Sequence, residues 1–315
     1  MSHLPYDTFR ETLAIRYPHC GHALWDPSPE GLYDAVAVGD VGFIREGYFH
    51  RLFNVLLPED HPSHINSGVP EYHQPLQPGL SNHIRKGTDG TDDFCSRHVS
   101  LSRGRNIQAL GPDDESQVTV SCPGRRGALS SLPFPAQRED TVARGDFGKW
   151  MIKHIDQWFA FASNLGLGVN RMQDIILVTG RHCTKSWVNV AFSDSQRDAE
   201  VSFGAQVSGS SGVNIERRVV RGDAVLKLGP SGENLPENQC IFVRGFRVVR
   251  LLNIWPRLKG RAGPSTDADE HESTHDRQLE SIGTSANSKI LFTFCYSIFL
   301  KRLLVAIWLW FMMMT

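Results

Sequence analysis

Thirteen histidines and six cysteines are the side chains here best suited to hold a metal or act as nucleophiles. His61, His64, His73 and His83 fall in one proline-rich stretch with Glu59, Asp60 and Glu71. Imidazole and carboxylate oxygens suit zinc or iron, but these intervals match no ligand frame. His19-Cys20-Gly21-His22 is a second cluster of metal-binding types, and a turn bearing surface histidines is its plainer reading. The cysteines, at 20, 95, 122, 183, 240 and 295, form no CxxC pair, so neither a zinc ribbon nor a redox dithiol is indicated. His182 and Cys183 stand side by side just after a predicted strand, where a thiol could serve as a nucleophile. Neighbours on a strand point to opposite faces, so this pair is not expected to meet. Arg125 and Arg126 at a turn could grip phosphate or carboxylate, although a solvated tip is the favoured reading. Gly166-Leu167-Gly168 closes a helix, whereas a phosphate-binding glycine pair opens one. Gly209-Ser-Ser-Gly212 lacks the spacing of a nucleophile elbow or a phosphate loop. The sequence therefore assigns no catalytic residue, no cofactor-binding residue and no metal ligand.

The elements that would position these residues centre on residues 146–180. Phe147, Trp150, Met151, Ile155, Trp158, Phe159, Ala162 and Leu165 recur every three or four residues, which predicts one principal amphipathic helix over about 146–165. Lys149, Lys153, Asp156, Gln157 and Asn164 fill its wet side, and Asp146 suits an N-cap or first turn. Asp174–Thr179 is short, apolar and β-branched, as a doubly buried strand should be. Residues 1–34 read as irregular. Asp40–Ile44 and Tyr48–Val55 predict a hairpin across Glu46-Gly47. Residues 58–93, broken by repeated prolines, read as one long irregular loop. Val118–Cys122 with Gly127–Leu132, and Val213–Arg221 with Ala224–Leu228, read as two further hairpins. The second turns at Arg221-Gly222-Asp223. Alternation over 188–192 and 201–207 predicts strands with one wet face. Gln239–Leu252 reads as a long strand with a bulge at Gly245. The fold class is α+β: mainly antiparallel strands, as a sandwich or open barrel, with one principal helix.

Composition sets the outer limits. With 40% hydrophobic and 21% charged residues the chain is ordinary globular material. A formal net charge of −1 gives no global field for nucleic acid. The start has no signal-peptide core, which fits a cytoplasmic chain with reduced thiols. We expect a single β-rich domain over residues 1–258, a disordered polar linker over 259–288 and a hydrophobic tail over 289–315. Residues 290–314 are long enough to span a bilayer. Roughly 13 Leu, Ile, Phe and Val residues there favour insertion by about 4–8 kcal/mol, and central Lys301 and Arg302 oppose it by roughly 5–7 kcal/mol. A tail anchor, an in-plane helix and a misread gene end all remain open.

Several runs resemble an uncharacterised family of basidiomycete fungal proteins. They are Gly21–Trp25, Gly39–Ile44 with Arg51–Asn54, Gly148–Trp150, Ile176–Gly180 and Asn238–Arg247. The likeness covers about residues 5–258 and implies a soluble fungal module, usually followed by a polar tail; the hydrophobic end here departs from that pattern. No activity is established for the family, so the resemblance carries over no site residue. Together these readings favour a non-catalytic binding or interaction module whose partner is an unknown protein or small molecule. The alternative is an enzyme with a site near loop 58–93 or at the strand end around 180–183.

Overall fold

The computed structural model describes residues 4–29, 35–65, 67–77, 84–89, 93–105, 115–123, 126–193, 199–208, 212–250 and 277–282. The fold is α+β, mostly antiparallel sheet with one main helix and no closed barrel.

The main helix, Arg144–Asn164, buries Phe147, Met151, Ile155, Trp158 and Ala162 along one stripe. Trp150 and Phe159 are half-buried beside it. Asp146 lies in the first turn, exposed and 3.9 Å from Lys149, and does not cap the helix. Leu165, expected in the core, is 38% exposed. It is the residue where the helix ends, before Gly166 (φ 66°) turns the chain away from the stripe.

This helix covers one face of an eight-stranded sheet. The central strands are β10 (Ile176–Thr184) and β15 (Gln239–Arg250), flanked by β1 (His22–Ala23), β2 (Asp40–Arg45) and β3 (Tyr48–Asn54). The β2–β3 hairpin turns on Glu46 (φ 52°) and Gly47 (φ 81°). Two left-handed residues match the twist of a two-residue hairpin. A ladder irregularity does occur at Gly245, but the additional residue is Thr179 of β10, because Val178 pairs with Gly245 and Gly180 with Arg244. β9 (Ala136–Thr141) adds to β10, and β4 (Ile84–Asp89) to β9.

Two four-stranded sheets complete the fold, in the orders β14-β11-β8-β5 and β13-β12-β7-β6. The first holds β5 (Asp93–Cys95), β8 (Gly127–Ser131), β11 (Val188–Phe192) and β14 (Ala224–Leu228). The second holds β6 (Ser100–Arg105), β7 (Glu115–Cys122), β12 (Ala199–Ser208) and β13 (Gly212–Arg221). They face each other over Leu129, Val188, Val190 and Phe192 on one side and Val118, Val120, Val201 and Phe203 on the other. A first helix, α1 (Pro5–Arg16), closes the outer face of the β8–β11 sheet with Phe9 and Leu13. The main helix is therefore α2.

Four expectations are corrected. Residues 5–16 are helical, although Thr8 takes a core position and Ile15 is 65% exposed, which blurs the apolar stripe. Loop 58–93 is interrupted by a 3-10 turn at Pro62–His64 and by β4, an edge strand that shows almost only polar residues. The two later hairpins do not exist: β7 and β8 lie in different sheets, as do β13 and β14. Hydrophobic alternation is the same for a hairpin and for a chain crossing between the layers of a sandwich. Finally, residues 277–282, inside the expected linker, form β16 on the edge of β15. Its Leu279 seats against Gly148 of α2, where a Cβ would lie 2.8 Å from the leucine methyl. The remaining linker positions 259–276 and 283–288, and the tail 290–314, lie outside the described residues. Among the described residues no helix is long and apolar enough to cross a membrane.

Candidate functional site

Three polar constellations surround the large sheet, and two of them are already filled from within. The first centres on Arg244, 1% exposed in the middle of β15. Its Nε donates to Asp140 Oδ1 (2.5 Å). Nη1 donates to the Cys20 carbonyl (3.1 Å) and to His182 Nε2 (3.3 Å). Nη2 donates to the carbonyls of Glu139 (3.2 Å) and Arg181 (3.1 Å). All five N–H groups are used, so no donor is left for a ligand. Gly180 makes room: a Cβ there would stand 2.1 Å from Asp140 Oδ1 and 2.8 Å from Arg244 Nε. Burial, then the Arg244 charge, drives the His182 pKa down to about 2, so its Nε2 accepts.

The second constellation pins the loop after β3. Buried Asp40 accepts from the Ala37 N–H (2.6 Å) and from Asn54 Nδ2 (2.7 Å). Burial nevertheless raises its carboxyl to about 6. The Asn54 main-chain N–H donates to His64 Nε2 (3.1 Å), and His64 Nδ1 donates to the Pro58 carbonyl (3.0 Å). His73 Nε2 meets the Leu57 carbonyl (2.9 Å), and His61 Nδ1 meets Ser63 (2.7 Å). The loop brings the rings of His61, His64 and His73 about 6 Å apart in sequence, but to hold peptide groups. Glu59, Asp60 and Glu71 are exposed, and His83 lies outside the described residues. His19 is exposed while Cys20 is buried. Among the described residues no three His, Cys, Asp or Glu side chains could hold a metal ion.

The other predicted residues also disperse. β10 runs past the expected end at Thr179, through His182 and Cys183, to Thr184. His182 packs with Phe242 on one face (ring centroids 5.9 Å apart), and Cys183 joins Cys240 and Val178 on the other. Both are at most 2% exposed. Arg126 is not a solvated tip: it bridges to Glu11 of α1 (2.9 Å). Arg125 and the 209–211 turn lie outside the described residues.

The third constellation is an open cleft of about 330 Å³. Its floor is apolar, from Leu24, Val36 and Phe49. Asp26–Pro29 and the β3 residues Tyr48, His50 and Arg51 also line it; on β3 the Arg51 side chain shares the Phe49 face, and Tyr48 and His50 the opposite one. Ser63, Ser67 and Leu167 complete the rim. The Asp26–Pro29 wall is firmly set. Its Asp26 N–H donates to the Gly47 carbonyl (3.0 Å), its Pro27 carbonyl accepts the Cys240 N–H (3.0 Å), and Lys227 pairs with the Asp26 carboxylate (2.7 Å). On β3 the His50 ring stacks on Phe43 (5.0 Å) and lies 4.8 Å from Tyr48. Arg45 donates to the Leu167 carbonyl and fixes the rim. Sequence reasoning missed this site. Asp26-Pro27-Ser28-Pro29 falls within the stretch read as irregular, and its position beside β3 depends on long-range register.

Fold and cleft together define an α+β protein with a half-polar cleft beside its largest sheet. No family model matches this sequence, and no curated protein matches it significantly.

Proposed function

We propose that the chain is a binding module whose cleft takes a small anionic molecule with an apolar body, such as an aromatic carboxylate. The observation that carries this is the composition of the cleft: apolar Leu24, Val36 and Phe49, with Arg51 on the Phe49 side of β3 and Tyr48, His50 and two serines also in the lining, in a volume of about 330 Å³. That volume is at the small end of ligand sites, about 300–1,000 Å³. Arginine offers a planar fork that fits a carboxylate, and among the described lining residues the one carboxylate, Asp26, pairs with Lys227. The test is thermal unfolding of the full chain against paired acids and amides such as benzoate and benzamide. Acids at 100-fold excess over their Kd stabilise the fold by about 2.7 kcal/mol and the amides by much less. Equal response to both, or to neither, rejects the reading.

A further inference from the structure

Beyond ligand binding, the ladder sets two cysteines face to face. We infer that Cys183 and Cys240 form a reversible intrachain disulfide when the folded protein meets hydrogen peroxide. The two residues are direct antiparallel partners in β10 and β15. Such partners have Cα atoms about 4.5–5.5 Å apart, inside the roughly 4.4–6.8 Å span that a disulfide bridges. The side chains are neighbours: the single Cys240 S–H is shared between the Cys183 sulfur and the Phe242 carbonyl (3.4 Å). Neither sulfur needs a strand to move far.

The surroundings of the two sulfurs differ. The hydrogen bond from Cys240, followed by the Arg181 guanidinium, holds the Cys183 thiol below its ordinary range, whereas burial pushes Cys240 well above it. Either sulfur can attack first; the scheme is written for Cys183, which has the Arg181 guanidinium beside it. In the first step the Cys183 thiolate attacks one peroxide oxygen; the O–O bond breaks, an S–O bond forms, and hydroxide leaves and is protonated to water. In the second, the Cys240 sulfur attacks the sulfenic sulfur; the S–O bond breaks, the S–S bond forms, and the departing hydroxide takes the Cys240 proton as water. Two thiols lose two electrons to one peroxide, giving two waters. Leu24 and Val36 of the cleft floor belong to the same apolar cluster as both cysteines, and Pro27 of its wall holds the Cys240 N–H. The pair is therefore packed in the apolar cluster that also lines the cleft. Cys95 is the contrast: it is more accessible, but burial and then Asp93 push its thiol up to about 11.

The experiment exposes the full chain to millimolar hydrogen peroxide, quenches with an alkylating agent under denaturing conditions, and maps the peptides. The expected result is a loss of about 2 Da, two of six thiols gone, and one dithiothreitol-reversible cross-link joining the peptides of Cys183 and Cys240. The same treatment in urea removes that selectivity, and Cys183→Ser and Cys240→Ser each abolish the cross-link. Should the serine variants fail to fold, the wild-type peptide map and the urea control still decide. Cross-links scattered among other cysteines, both thiols intact after peroxide, or sulfinic acid at Cys183 with no cross-link would each overturn the inference.

Discussion

Replacing Arg244 by methionine should cost the fold about 3–5 kcal/mol. The methionine chain fills much of the arginine stem, so packing changes little and the loss is electrostatic. It strands the carbonyls of Cys20, Glu139 and Arg181, the His182 Nε2 and the Asp140 carboxylate. Breaking a buried ion pair by removing one partner typically costs about 3–5 kcal/mol. Asp140 keeps Arg138 on its other oxygen (2.5 Å) and retains 19% exposure, which places the expected loss near the lower end of that range. A domain holds only about 5–15 kcal/mol in total, so such a loss is easily read from the urea midpoint at constant slope. Arg244→Lys restores the charge without the five-donor fork and should fall between wild type and methionine. A shift below 1 kcal/mol for Arg244→Met would refute the assignment of this cluster as the rivet between β9, β10, β15 and the Cys20 turn.

Three further outcomes are expected. Below pH 6.5 the unfolded chain protonates His182 while the folded chain, with a value of about 2, does not. Stability then falls by about 1.4 kcal/mol per pH unit. Asp40, raised from 3.8 to about 6, works in the opposite sense between those values, because the folded state takes its proton first. His182→Gln keeps an acceptor for Arg244, and its stability–pH curve below 6.5 should be shallower by that amount; parallel curves would contradict the burial assigned to His182. Leu279→Asp should unseat β16 from Gly148 and cost about 2 kcal/mol, read by urea unfolding; no change would mean that β16 is not part of the folded unit. Thr8 Oγ1, Ser130 Oγ and Asn189 Oδ1 are buried beneath α1 with no protein partner. Ser130→Ala should therefore be neutral or stabilising by up to about 1 kcal/mol, and a loss above 1 kcal/mol would point to a water bridging them.

What the sequence revealed follows from how local each signal is. The α2 stripe and the Glu46-Gly47 turn are complete within a few residues, and both are as the spacing requires. The α1 helix is hidden because only Phe9 and Leu13 mark its large apolar face while Thr8 shares their burial. Sandwich corners imitate hairpins because alternation reports which face is dry and not which strand is adjacent. The Arg244 cluster is invisible by construction: its partners are mostly peptide carbonyls, 63–224 residues away in the chain. Gly180 alone hinted that something passes close over the strand. The cleft needed the register of β1 against β15 and of β2 against β3 before Asp26 and Arg51 could be placed in the lining of one cleft.

The most direct measurement is a calorimetric titration of the full chain and of Arg51→Gln with phenylacetate and, separately, with its neutral isostere phenylacetamide. A hydrogen bond to a charged group contributes about 1.5–3 kcal/mol, so the acid should bind wild type roughly 10- to 150-fold more tightly than the amide, and Arg51→Gln should remove most of that difference. Equal affinities for acid and amide, or an acid preference that survives Arg51→Gln, would contradict an anion site in this cleft.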